Sequence, residues 1–295
     1  MDMISPYLLH IGIMTGIYVL LVQSLNIMLG YSGLLSLATP ALFGMGAYAS
    51  ALLGMRLGWD STLTFACATA IGATSGVALG VPSLRLSRHS FVIVTLSATL
   101  LLQLVASNWI DLTRGSLGIA DIPAARFFGF VLGGKGAWLG FMAVLSLLAI
   151  AATGSIVSSR LGRAMVAVRD NEPLAIAAGI DVLKMRLFAF ACSGAFAGLA
   201  GACYAHYLTF IDPGIFGFSI SESLLVMVIL GGSGTLWGPV VGAIVFTALP
   251  EVLRMAPEMK SLLYGTLLLL IVLFMPQGMA RWFGRPATGG AGAGR

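Results

Sequence analysis

Three histidines and three cysteines are the residues of this 295-residue chain best suited to metal or acid–base chemistry, and their spacing argues against both. His10, His89 and His206 stand far apart with no ligand spacing. Cys67, Cys192 and Cys203 sit in apolar runs without a C-x-x-C pair, as small core hydrophobes do. No catalytic constellation, metal site or cofactor is expected. The residues that do recur in a pattern are glycine and serine. Residues 29–37 read LGYSGLLSL and residues 230–238 read LGGSGTLWG, two copies of L-G-x-S-G-x-L inside strongly apolar surroundings. Glycine opens helical backbone, and at membrane depth opened N–H and C=O groups must be met by protein or by a water-filled cavity. Two readings follow for Gly30, Ser32, Gly33, Gly231, Gly232, Ser233 and Gly234: they line a pathway, or they let helices pack closely. Asn26, Gln23 and Gln103 are amides within spans and admit the same alternatives.

The elements that hold these residues belong to a membrane protein. Hydrophobic residues make up 58% of the chain and charged residues 9%, with a mean hydropathy of +0.99. A soluble domain keeps about a quarter of its residues charged. The net charge of +5 is read as basic loops held on one side of a bilayer, not as a nucleic-acid surface. With no basic residue before Arg56, the first apolar stretch lacks the positive region of a cleaved leader and is expected to stay as a span.

About 20 helical residues cross a bilayer, which predicts spans at 7–29, 35–53, 63–82, 90–106, 138–155, 187–208 and 261–276. An eighth stretch, 222–253, is cut by GGSGTLWGP and reads as re-entrant, entering to mid-membrane and returning. The expected fold is all-α and polytopic, with about eight membrane segments, one of them broken. Residues 1–283 form one transmembrane domain, and the glycine-rich 284–295 is a disordered tail. The loop 156–186 carries five of sixteen basic residues and is placed in the cytoplasm. Counting spans outward puts the N-terminus and residues 107–137 outside.

Within that loop, RDNEPLAIAAGID reads as a capped helix of about two turns. Asp170 and Asn171 cap it, Glu172 suits the positive end of its dipole, Pro173 sits where a missing N–H costs nothing, and Gly179 closes it. Its exposed side chains are expected to be leucine, isoleucine and alanine. An amphipathic element on lipid headgroups is one reading; close docking of Ala175, Ala177 and Ala178 into a groove of another protein is the other. The chain has no G-x-x-x-x-G-K-[ST] stretch of its own. Elsewhere, Glu222 is read as an external helix-start residue and Glu251 as a partner of Arg254. The external loop, with Asn108, Thr113, Arg114, Gly115 and Ser116, is either a partner contact or simply solvated.

The stretch GRAMVAVRDNEPLAIAAGIDVLKMRLFAFACSGAFAGLAGACYAHYLTFIDP, followed by GGSGTLWGPVVGAIVFTALPEVLR, resembles the LivM-type permease subunits of ABC importers for branched-chain amino acids. SLNIMLGYSGLLSL, FGMGAYASALL, LRLSRHSFVIVTL and NWIDLTRGSLGI extend the likeness from about Ser24 to about Met275. The resemblance implies a bacterial inner-membrane channel of two homologous permeases, with two ABC ATPase subunits on the cytoplasmic face and a periplasmic substrate-binding protein outside. It maps the ATPase-coupling motif onto Arg163, Arg169, Asp170, Asn171, Glu172, Ala175 and Gly179. The family's S-L-G-H-A is here Ser36-Leu37-Ala38-Thr39-Pro40, without the histidine, and Pro173 and Ile176 replace the isoleucine and glutamate common in relatives. Urea or a short amide is the rival substrate. An ion-coupled secondary transporter is the rival class, and it lacks the mid-membrane acid such a transporter keeps.

Overall fold

The computed structural model describes residues 4–127 and 130–252. The expected span 261–276, the tail 284–295 and the pairing of Glu251 with Arg254 lie outside what is described. Eleven helices follow in order among the described residues: α1 (Ile4–Asn26), α2 (Thr39–Leu57), α3 (Ser61–Ser83), α4 (Arg88–Asn108), α5 (Ile110–Thr113), α6 (Lys135–Ser158), α7 (Arg160–Asp170), α8 (Glu172–Ala177), α9 (Val182–Leu208), α10 (Phe218–Gly231) and α11 (Gly238–Val252). A two-residue hairpin, β1 (Arg126–Phe127) against β2 (Phe130–Val131), decorates the α5–α6 connection. The segments Pro6–Tyr31, Ser61–Ser83, His89–Asn108, Lys135–Ser158 and Val182–Leu208 are long and apolar enough to cross a membrane. The chain is therefore an all-α, multi-pass membrane protein. At 14 and 15 residues, α10 and α11 are each too short to span.

Helix α9 runs through the centre, packed by α1, α2 and α3. Its glycines decide how closely. A β-carbon at Gly72 of α3 would sit 2.9 Å from the Cα of Gly198, and one at Gly198 would sit 3.1 Å from the Cα of Gly72. On another side, Gly46 of α2 meets Gly198 backbone to backbone. Lipid is as apolar as leucine, so helices in it associate by close van der Waals contact, and small residues allow that approach. The outer faces are aliphatic: Leu101 and Leu104 of α4 and Leu147 and Leu148 of α6 are 60–64% exposed.

The bundle has two distinguishable ends. Lys135 Nζ reaches the carbonyl of Pro6 at 3.4 Å and His10 stacks on Tyr207, so the starts of α1 and α6 share an end with the close of α9. There a bridge between Ile119 and Ile211 ties the two connecting segments together. The other end carries α7 and α8. The expected loop 156–186 is thus mostly helical, since α6 runs on to Ser158 and α9 begins at Val182.

One expectation is corrected. The span predicted at 35–53 begins only at Thr39, because Gly33 (φ +71°) turns left-handed and residues 33–38 form no helix. Pro40 then occupies the first turn of α2, where no N–H is required. Helix α1 runs 23 residues before its break, roughly 34 Å at 1.5 Å per residue, and the break lies at the α7 end of the bundle, where Arg169 reaches Gly30. Helices α10 and α11 pack against each other, with Gly231 against Gly238 and Gly242 against Met227.

Candidate functional site

The two copies of the glycine–serine frame, 201 positions apart in sequence, meet in space. Past Asn26, α1 widens into a π-helical turn over Ile27–Tyr31. The side chain of Asn26, fully buried, then bonds the second break twice: Nδ2 donates to the Thr235 carbonyl at 2.9 Å, and the Gly234 N–H donates to Oδ1 at 2.9 Å. One turn earlier, Gln23 Nε2 donates to the Leu236 carbonyl at 3.0 Å. The amides thereby satisfy backbone that helix α10 has released. Gly232 (φ +106°) and Gly234 (φ +79°) adopt conformations that strain other residues, and a β-carbon at Gly30 would lie 2.9 Å from the Cα of Gly234. Ser32 is buried while Ser233 is exposed. Gln103 is half-buried on α4, apart from this cluster.

From the first break the non-helical segment 33–38 leads to α2, and its backbone is met by hydroxyls that sequence reasoning did not single out. The Leu37 N–H donates to Thr95 Oγ1 at 3.2 Å, and the Leu37 carbonyl accepts from Thr99 Oγ1 at 3.0 Å and Ser221 Oγ at 3.3 Å. Thr95 and Thr99 are one turn apart on α4 and both buried, a four-residue polar spacing that was legible in an otherwise apolar helix. Beside Leu35, which is exposed, a cleft of about 700 Å³ opens between the segment, the α3–α4 turn and Phe91–Ile93.

The docking segment is built largely as its residues dictate. Asn171 Oδ1 accepts the Leu174 N–H at 3.1 Å and caps α8, and Gly179 closes it at φ +81°. Glu172 does more than suit the dipole: its carboxylate pairs with Arg186 on α9 at 2.7 Å and fastens α8 to the bundle. Asp170 is not a cap; it pairs with Arg169, whose Nη1 donates to the Gly30 carbonyl. Arg163 is exposed and bonds the Ser158 carbonyl. Ala175, expected on the outer face, is buried, and its carbonyl accepts the Ile180 N–H at 3.0 Å. Ala177 and Ala178 are exposed as expected, and the large outward residues are Leu174, 66% exposed, and Ile176, 59% exposed.

At the far end His206 is buried against Ser50, Thr64 and the Pro123 carbonyl, which fastens the α5–α6 connection. Within that connection Thr113 bonds the Ala106 carbonyl at 2.7 Å and Arg114 and Gly115 turn left-handed, leaving Asn108, Arg114 and Ser116 exposed. Glu222 is exposed in the second turn of α10, past the Gly217 cap, so it does not cap the helix.

Comparison with known proteins adds the family. The model of the permease component of the branched-chain amino acid transport system matches residues 7–272. The chain is 31% identical to the high-affinity branched-chain amino acid transport system permease protein LivM of Salmonella typhimurium, over 94% of this chain and 71% of the relative. The corresponding LivM of Escherichia coli K12 matches at 31% with the same coverage. LivH of Escherichia coli K12, the high-affinity branched-chain amino acid transport system permease protein of that name, matches at 26% over 91% of this chain and 92% of the relative. No solved structure matches. A family match over nearly the whole chain, in a multi-pass helical bundle, places this protein in the permease family of branched-chain amino acid transport systems.

Proposed function

We propose that the chain is a permease subunit of an ABC importer that passes branched-chain amino acids across the bacterial inner membrane, with the α7–α8 end in the cytoplasm. The observation that carries this reading is α8. It is a short helix capped by Asn171, closed by Gly179 and tied to α9 by the Glu172–Arg186 pair, with Leu174 and Ile176 turned outward. A helix this short is marginal alone, and two large aliphatic side chains held rigidly in water have a groove of another protein as their natural partner. Two ATPase subunits supply that groove and the hydrolysis this chain has no phosphate loop for. A second, homologous permease completes the channel, and a periplasmic binding protein delivers the amino acid to the opposite end. The LivM and LivH relatives, both matching this one chain, support a pair of related permeases.

In this reading no covalent chemistry occurs in the chain. ATP binding in the partners favours one arrangement of the bundle over another, and substrate follows the difference. The paired breaks supply the pliable backbone such a change needs, at the end where the ATPases sit. The test is co-purification. The chain is co-expressed with the ATPase subunits encoded beside it, and Leu174→Glu is compared with the parent. Loss of the ATPases with retained membrane insertion supports the reading; undiminished ATPase recovery from Leu174→Glu together with Ile176→Glu defeats it.

A further inference from the structure

Arg169 is the penultimate residue of α7, three positions before α8 begins, yet its side chain points away from the docking surface. Its Nη1 donates to the Gly30 carbonyl in the first break. Its stem lies where a side chain on Gly33 would have to go: a β-carbon there would meet Arg169 Cγ at 2.7 Å. From the second break, a β-carbon on Gly234 would meet Arg169 Nη1 at 3.0 Å. Gly33 and Gly234 are equivalent positions in the two L-G-x-S-G frames, and both are left-handed, at φ +71° and +79°. One side chain therefore touches both breaks at the same place in each.

We propose that Arg169 is a positioning residue that transmits displacement of the docking segment to the paired breaks, so that ATPase movement and opening of the pathway are coupled through it. This rests on the importer reading. The physical case is that the guanidinium is held from two sides at once. Asp170 grips it through Nε at 2.9 Å and Nη2 at 2.8 Å, leaving Nη1 for the Gly30 carbonyl. The planar fork cannot turn to keep one contact while releasing the other without losing charge-assisted bonds. The arginine side chain is 24% exposed and Asp170 55%, so of these bonds the one to Gly30 is the better shielded from water. Helix α8 is fastened in turn to α9 by the Glu172–Arg186 pair, and a push on α8 reaches α7 through Asn171 and Asp170. The repeated glycines gain a second reason: besides letting the breaks approach each other, the last glycine of each frame makes room for this arginine.

The experiment has two arms, using Arg169→Gln and Arg169→Lys. In the first arm, hydrogen exchange is followed by mass spectrometry on the purified full-length chain in detergent. Arg169→Gln is expected to speed exchange of the amides in 31–37 and 232–236 by at least about tenfold, the factor that a hydrogen bond to a charged group commands. Arg169→Lys, which keeps the charge without the fork, falls between. Unchanged exchange in both variants overturns the contact whatever the transporter class. In the second arm, the chain is assembled with its co-expressed permease and ATPase subunits in proteoliposomes, and leucine taken up per ATP hydrolysed is measured. Uncoupling, with hydrolysis kept and uptake per ATP reduced by about tenfold or more, is the expected result. A fall of uptake and hydrolysis in proportion would show a merely structural residue and overturn the proposal. Should the parent chain bind no ATPase, the importer reading fails and the coupling role with it, while the exchange arm still reports the contact.

Discussion

Replacing Asn26 by leucine removes the bonds that hold the two breaks together while nearly preserving the side chain's shape. In the parent, this fully buried amide serves two groups of the second break, the Thr235 carbonyl and the Gly234 N–H, each at 2.9 Å. Leaving a buried backbone group unmet costs about 1–3 kcal/mol, and hydrogen bonds between membrane helices average nearer 0.6 kcal/mol with a maximum of about 1.7. The membrane values govern this site more closely but refer to side chains that find new partners, whereas Gly234 and Thr235 sit in a turn with no helical partner to return to. The expected loss is therefore on the order of 2–4 kcal/mol. For a chain of this size that lowers the melting temperature by roughly 3–6 °C. The assay is thermal unfolding of the purified chain in detergent, with uptake measured alongside. Asn26→Asp provides a sharper check, because it keeps an acceptor for the Gly234 N–H but turns an oxygen toward the Thr235 carbonyl. It should do no better than leucine. A melting temperature unchanged in Asn26→Leu, or an aspartate variant as stable as the parent, would refute the claim that this amide clamps the breaks.

Four further outcomes follow from the geometry. Gly198→Val should prevent accumulation of folded protein, since its β-carbon would press into α3 backbone, whereas Gly140→Val, with open space around it, should leave expression and melting unchanged. Gly179→Val, strained at φ +81° by about 1 kcal/mol, should weaken ATPase recovery in pull-downs without disturbing insertion, and loss of insertion would count against a local cap. Cysteines placed singly at Ser158, Ser159 or Lys184 should react with an impermeant thiol reagent only in opened vesicles, and one at Ala120 in intact spheroplasts; the reverse pattern would invert the topology. Asp181 caps α9, and the Lys184 backbone N–H, followed by the Lys184 ammonium, holds its carboxyl below the usual aspartate value. That contribution is present above the ordinary aspartate range and fades as pH falls through it, so Asp181→Asn should flatten the acid limb of a stability-versus-pH curve.

Composition and local pattern carried much of this protein. A chain with 9% charged residues has to place most of its surface in lipid, and runs of about 20 apolar residues have to be spans. The capped helix was legible because a cap is a relation between near neighbours: Asn171 reaches only to Leu174, and Gly179 answers only to its own φ. The glycines at 72, 76 and 80 have a four-residue period that sequence reasoning passed over, and nothing in the sequence says which helix crosses there. What tertiary structure alone decided are relations between distant segments. The amide of Asn26 and the N–H of Gly234 are 208 positions apart, and no local rule chooses between lining a pathway and clamping a neighbour. The burial of Ala175, the span that starts at Thr39 instead of residue 35, and the turn of Arg169 toward the breaks all depend on which surfaces face each other after packing. In lipid, unlike water, an apolar side chain gains little from choosing the interior. Hydrophobic periodicity, the usual guide to inside and outside, therefore falls silent, and close backbone contact and the satisfaction of opened backbone decide the arrangement.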